Sequence, residues 1–201
     1  MSTPDNSSPW SAPERVQPLS HALSLPGSKS LTNRELVLAA LAEGPGVLRG
    51  PLHSRDTALM VDALRSLGAV IEEVPGEGGF GPDLHVVPIP LDSDASASID
   101  CGLAGTVMRF VPPLAAIVRG TFHFDGDVGA RRRPMSTTLD ALGQLGLQVD
   151  DDGRGTLPFA ITHRDSATSS AVSIDASASS QFVSGLLLMG ARLPGGLTVT
   201  H

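Results

Sequence analysis

"GPLHSRDTALMVDALRSLGAVIEE" (Gly50–Glu73) and "GDVGARRRPMSTTLDALGQLGLQVDD" (Gly126–Asp151) are two copies of one pattern. Asp62-Ala63-Leu64 aligns with Asp140-Ala141-Leu142, Leu67-Gly68 with Leu145-Gly146, and Arg55 with Arg133. In each copy an apolar stripe at helical spacing ends at Gly, the residue that tolerates the left-handed turn closing a helix. A short β-like run follows. Self-similarity of this kind marks a repeated supersecondary unit, and it decides the fold class before any single element is assigned.

A second repeated pattern lies upstream of each copy. "GSKSLTNRELVLAALAEG" (Gly27–Gly44) resembles "GLAGTVMRFVPPLAAIVRG" (Gly102–Gly120), with Arg34 opposite Arg109, and a third member, "SASSQFVSGLLLMGARLPGG", begins at Ser177. Each has small polar residues, then an apolar run of helix length, then Gly. The three runs are apolar on most faces, which predicts burial. Pro112-Pro113 is expected to kink the second helix or displace its start. Short strands are predicted at Ala22–Leu25, Val47–Gly50, Ala69–Val74, Leu84–Ile89, Thr121–Asp125, Leu147–Asp150, Phe159–Thr162, Ala171–Asp175 and Leu197–Thr200. The unit is therefore βαβαββ, used about two and a half times. "GGLTVTH" at the end reads as an interrupted strand, so a piece of a longer chain is expected. The Gly-rich "PGEGGFGPD" (Pro75–Asp83) has no helical pattern after it and reads as a loop between two strands.

Composition narrows the function. Hydrophobic residues make up 41% of the 201-residue chain but aromatics only 3%, so the core must be mostly aliphatic. The net charge of -7 disfavours nucleic acid and anionic membrane surfaces unless a basic patch is built locally. One cysteine, Cys101, excludes an internal disulfide framework, fits a reducing compartment such as the cytoplasm, and reads as a small core residue rather than a nucleophile. The six His lack ligand spacing, so no metal is expected. No apolar run reaches membrane-spanning length. The first 18 residues, rich in Ser and Pro, have neither a basic nor an apolar leader segment and are expected to form a mobile tail ahead of a domain spanning 19–201.

The chemistry concentrates at helix starts. A first helical turn has unpaired N–H groups and partial positive charge. Ser28, Ser30 and Thr32 are candidate caps for the first helix, and Thr32 with Glu35 has capping-box spacing. Lys29 and Arg34 sit at the wrong end of that dipole. They are either solvated cations beside an ordinary cap or ligands of an anion that satisfies N–H groups, hydroxyls and cations together. Gly105-Thr106 precedes Arg109 in the same arrangement, and Gly105 permits close approach of a ligand to the backbone. Ser179-Ser180-Gln181 supplies a third start without a cation. Arg131-Arg132-Arg133 forms a further cluster before a helix expected to start at Pro134. Arg133, paired with Arg55 in the repeat, is the member expected to be structured and suited to bidentate capture of a carboxylate or phosphate. Arg55 has Asp56 beside it as a candidate ion-pair partner. Asp62, Asp140 and Asp175 read as structural or solvated.

In order and spacing, "PGSKSLTNR", "GLAGTVMRF", "GDVGARRRPM" and "SASSQFVSG" resemble the signature blocks of the enolpyruvyl transferases, and among them the 3-phosphoshikimate 1-carboxyvinyltransferase (EPSP synthase) family; the resemblance covers residues 22–201. It implies an α/β fold of two similar domains, each an inside-out barrel of three βαβαββ units around a shared cleft, of which this chain holds one, nearly complete. It implies transfer of the carboxyvinyl group of phosphoenolpyruvate to the 5-hydroxyl of shikimate 3-phosphate in the shikimate pathway, with no cofactor, and with a monomer expected at full length. By motif, Lys29 corresponds to the lysine meeting both ligands and Ser30 and Arg34 to residues holding the shikimate moiety. Gly105 and Arg133 correspond to phosphoenolpyruvate contacts, Ser179 and Ser180 to binders of the shikimate phosphate, and Gln181 to a residue between the ligands. The catalytic acidic residues would lie in the other domain, so this chain alone is expected to be inactive. Leu103 stands where many members carry Asn and Phe110 where many carry Pro, both flanking Gly105. Glyphosate competes at the phosphoenolpyruvate position in the family, and Gly105 suggests sensitivity. Two alternatives are a UDP-N-acetylglucosamine enolpyruvyl transferase, disfavoured because "GDVGARRRPM" lacks a Cys, and a non-catalytic phosphate-binding half-domain.

Overall fold

The structure, a computed structural model, describes residues 10–14, 17–77, 79–90, 94–163 and 169–201. The elements run α1 (Lys29–Ala40), β1 (Gly46–Leu48), α2 (Arg55–Ser66), β2 (Val70–Val74), β3 (Asp83–Val87), β4 (Ala97–Asp100), α3 (Gly105–Leu114), β5 (Gly120–Asp125), α4 (Ser136–Gln144), β6 (Gln148–Asp150), β7 (Phe159–His163), β8 (Ala171–Ser173), α5 (Ser180–Gly190) and β9 (Thr198–Thr200).

Residues 97–163 are one complete βαβαββ unit. Its sheet has the order β4-β5-β7-β6, with β4 and β5 parallel and the other pairs antiparallel. The first unit repeats this without the leading strand: β1-β3-β2 corresponds to β5-β7-β6 and is antiparallel throughout. The third unit contributes the parallel pair β8-β9 around α5, the counterpart of β4-β5 around α3. The "PGEGGFGPD" segment does join two antiparallel strands, β2 and β3.

Several expectations are corrected. The strand expected at Ala22–Leu25 is irregular: Leu23 and Leu25 are exposed and no strand pairs with them. Conversely β4 was not anticipated, because "ASID" buries only Ile99 and offers Ser98 and Asp100 to solvent, so it reads as a polar loop. The prolines leave the start of α3 at Gly105 and occupy its last turn. The helix after Arg133 begins at Ser136 rather than Pro134: Met135, at φ -126, is outside the helical region, and its N–H bonds the Gly155 carbonyl at 2.8 Å. Of the expected tail, residues 1–9 and 15–16 lie outside the described residues; 10–14, 17 and 18 are exposed and carry no helix or strand.

The helices pack against one another and the sheets cover them. α3 is the most enclosed, buried from Thr106 to Leu114. Pro112 and Pro113 lack the N–H groups that would bond the carbonyls of Met108 and Arg109. The freed Arg109 carbonyl faces Gly185 of α5, where a Cβ would stand 2.2 Å from the oxygen, so only glycine lets these two helices meet. α1 and α5 are less buried than their composition suggested: Leu31, Leu38 and Leu187 are exposed. At the other end of the helices, Arg192 donates from Nε and Nη2 to the carbonyls of Leu41 and Ala42, tying the end of α5 to the end of α1.

Candidate functional site: three helix starts and a pair of arginines

The N-terminal turns of α1, α3 and α5 are brought together by contacts between polar and aromatic side chains. Asn33 Nδ2 of α1 donates to Thr106 Oγ1 of α3 at 2.6 Å, and both residues are buried. The Arg34 guanidinium lies over the Phe110 ring of α3, and that of Arg109 over the Phe182 ring of α5, each 5.1 Å from the ring centroid.

Arg109 and Arg133 converge on Gly105. A Cβ there would stand 2.8 and 3.2 Å from the two terminal nitrogens of Arg133 and 3.3 Å from Nη1 of Arg109. Arg133 reaches this place from the loop ahead of α4 by donating Nη1 to the Leu103 carbonyl at 3.0 Å. Arg109 is buried, and its Nε has no partner. Burial, and then the neighbouring Arg133, hold its pKa below the usual guanidinium value. Among the described residues neither arginine is ion-paired, although salt bridges occupy several other cations. Two like charges at a positive helix start, one of them desolvated, are unfavourable without a counter-anion. An anion over Gly105 resolves the conflict.

The remaining cations divide by role. Lys29 pairs with Asp56 at 2.9 Å and keeps 51% of its side chain exposed. Arg34 donates Nη1 to the Ser30 carbonyl at 3.0 Å. Arg55 does not pair with its neighbour Asp56; it grips Asp127 with two bonds of 2.6 and 2.9 Å, which raises its own pKa and lowers that of Asp127. Arg131 holds Asp125 in the same way, so it is structural, and Arg132 is exposed. Gly102, at φ +49, admits this arrangement: a Cβ would meet Leu59 at 2.5 Å and Arg55 at 3.2 Å.

The helix caps differ from the sequence expectation at α1. Ser28 occupies the cap position of α1 but its side chain makes no capping bond, and Thr32 instead accepts from the Leu52 N–H at 3.1 Å. The capping-box spacing of Thr32 and Glu35 is therefore unused, and the start of α1 is left open. α3 starts after Ala104, which has no polar side chain. Of these three starts, α5 has a side-chain cap, Ser179 accepting from the Gln181 N–H at 3.3 Å.

The sequence profile of the EPSP synthase (3-phosphoshikimate 1-carboxyvinyltransferase) family matches residues 13–201. The chain belongs to that family. Among members of the EPSP synthase family, the 3-phosphoshikimate 1-carboxyvinyltransferase of Kocuria rhizophila is 55% identical over 195 residues, covering 96% of this chain and 44% of the relative. An EPSP synthase structure from Acinetobacter baumannii superposes with a TM-score of 0.76 at 26% identity, covering 89% of this chain and 40% of that one. A second structure of the Acinetobacter enzyme gives 0.75 at the same identity. The chain thus spans less than half the length of the EPSP synthases it matches.

Sequence reasoning named Lys29, Ser30, Arg34, Gly105, Arg133, Ser179, Ser180 and Gln181, and the structure places all of them at or beside these helix starts. It left out Arg109, whose alignment with Arg34 in the repeat was the available signal. It also left out Asn33, Asp56 and Phe182, which local pattern does not distinguish from ordinary helix residues. No group of His, Cys, Asp or Glu able to hold a metal occurs among the described residues, and none of the described helices is long and apolar enough to cross a membrane.

Proposed function

We propose that this chain carries the ligand-binding face of a 3-phosphoshikimate 1-carboxyvinyltransferase. The observation that carries the reading is the convergence of Arg109 and Arg133 over Gly105 without a carboxylate partner. This pair suits the carboxylate or phosphate of phosphoenolpyruvate. Lys29 reaches both substrates, Ser30 and Arg34 hold the shikimate ring, Ser179 and Ser180 take its phosphate, and Gln181 lies between. A chain of net charge -7 thereby concentrates positive potential where two anions must meet.

In the reaction a proton adds to the methylene carbon of phosphoenolpyruvate, and the 5-hydroxyl of shikimate 3-phosphate attacks the adjacent carbon and gives up its proton. Phosphate then leaves as a proton departs from the methyl group, restoring the double bond. The residues here supply position and charge stabilisation. The proton-transfer groups are assigned to the part of the relatives' length that this chain does not span, so the chain alone binds but does not turn over. The full-length protein is proposed to act as a cytoplasmic monomer without a cofactor. Glyphosate is proposed to compete over Gly105, where the open backbone admits it.

Calorimetric titration tests the reading. Shikimate 3-phosphate is expected to bind and UDP-N-acetylglucosamine is not, with no phosphate released from phosphoenolpyruvate by the chain alone. Binding of the nucleotide sugar in place of shikimate 3-phosphate would overturn the assignment.

A further inference from the structure

We infer that Phe110 is a positioning residue: its ring face fixes the Arg34 guanidinium at the start of α1. The inference rests on the ligand role proposed for Arg34. Phe110 is fully buried on α3, one residue after Arg109 and in a helix enclosed along nearly all its length, so its ring is held by packing on every side. Arg34 belongs to α1, in the preceding unit, and is half-buried. Among the described residues its guanidinium has two contacts that set its place: the Ser30 carbonyl of its own helix at 3.0 Å, and the Phe110 ring, whose centroid is 5.1 Å away.

The distance lies within the range where a ring quadrupole attracts a cation, and a partly desolvated site strengthens that attraction. The carbonyl bond alone leaves the guanidinium free to swing about the helix. The ring adds a plane, and it does so without a negative charge. A carboxylate in that place would compete with the anionic ligand for Arg34, whereas a ring face orients the cation and leaves its N–H groups unspent. The same device recurs one unit later, where Arg109 lies over Phe182.

The test replaces Phe110 by mono-, di- and trifluorinated phenylalanine, which drains the ring quadrupole while keeping its shape. Phe110→Leu and Arg34→Met are made alongside. Affinity of the 201-residue chain for shikimate 3-phosphate is expected to fall stepwise with fluorination, to about three- to tenfold in total, with the thermal midpoint unmoved. Phe110→Leu is expected to weaken binding at least as much. A flat fluorine series, with Arg34→Met still losing binding, overturns the role of Phe110 and leaves the functional reading intact. Absence of shikimate 3-phosphate binding by the unsubstituted chain overturns both.

Discussion

Lys29 and Asp56 pair at 2.9 Å across the first turns of α1 and α2, so the lysine stands at an uncapped helix start with a carboxylate steadying it. Lys29→Met is expected to weaken shikimate 3-phosphate and phosphoenolpyruvate binding by about ten- to a hundredfold, the loss of one charge-assisted bond to a ligand. The fold should persist, because an ion pair this exposed contributes at most about 1 kcal/mol. Unchanged affinity for both ligands, in calorimetry on a variant with a native circular dichroism spectrum, would remove Lys29 from the site.

Gly105→Ala tests the arginine pair. The new methyl would press on the ends of Arg133 and Arg109 at 2.8 to 3.3 Å, and flexible guanidiniums can move aside. Stability should change little, while phosphoenolpyruvate affinity falls and shikimate 3-phosphate affinity holds. A loss of equal size for both ligands would place Gly105 outside the phosphoenolpyruvate position.

Gly185→Ala tests the helix packing. Here the obstacle is the Arg109 carbonyl, backbone rather than a side-chain end, and α3 and α5 must separate. Overpacking of this kind costs about 3 kcal/mol, a fall of roughly 6–12 °C in Tm. Differential scanning calorimetry showing an unchanged Tm would refute the close approach.

Cys101 provides a pH-dependent check. Burial first, and then the nearby Asp100 and Asp125, push its thiol from 9.0 up to about 12. A raised folded-state value means that this stability contribution is complete below pH 9 and is lost as pH rises from there towards 12. Native protein should resist thiol reagents at pH 8 and react only on unfolding. Rapid labelling of the native chain at that pH would show the site to be open.

The repeat was readable because helices α2 and α4 and the strands after them share spacing, charge and terminal Gly at the same offsets. The positions of Lys29, Arg34, Gly105 and Ser179 at helix starts were readable for the same reason. What escaped notice depends on partners distant in sequence. Whether Ala22–Leu25 pairs, or Ala97–Asp100 does, is decided by a neighbouring strand and not by either segment's own residues. Likewise Arg55 looked paired to Asp56 until the fold brought Asp127, 72 residues away, into bidentate reach. Arg109 and Arg133 carry no local sign of converging, because Arg133 is drawn over Gly105 by the Leu103 carbonyl, which accepts its Nη1 from 30 residues away.

The arginine that ties the end of α5 to the end of α1 has a kinetic meaning. Arg192 and the Leu41 carbonyl it occupies are 151 residues apart. On the ribosome, α1 and α2 emerge long before Arg192 does. Contacts of such sequence separation form late and slow the approach to the native state. If this clamp closes after the main folding barrier, Arg192→Met should speed unfolding in stopped-flow chevrons while leaving the refolding rate unchanged.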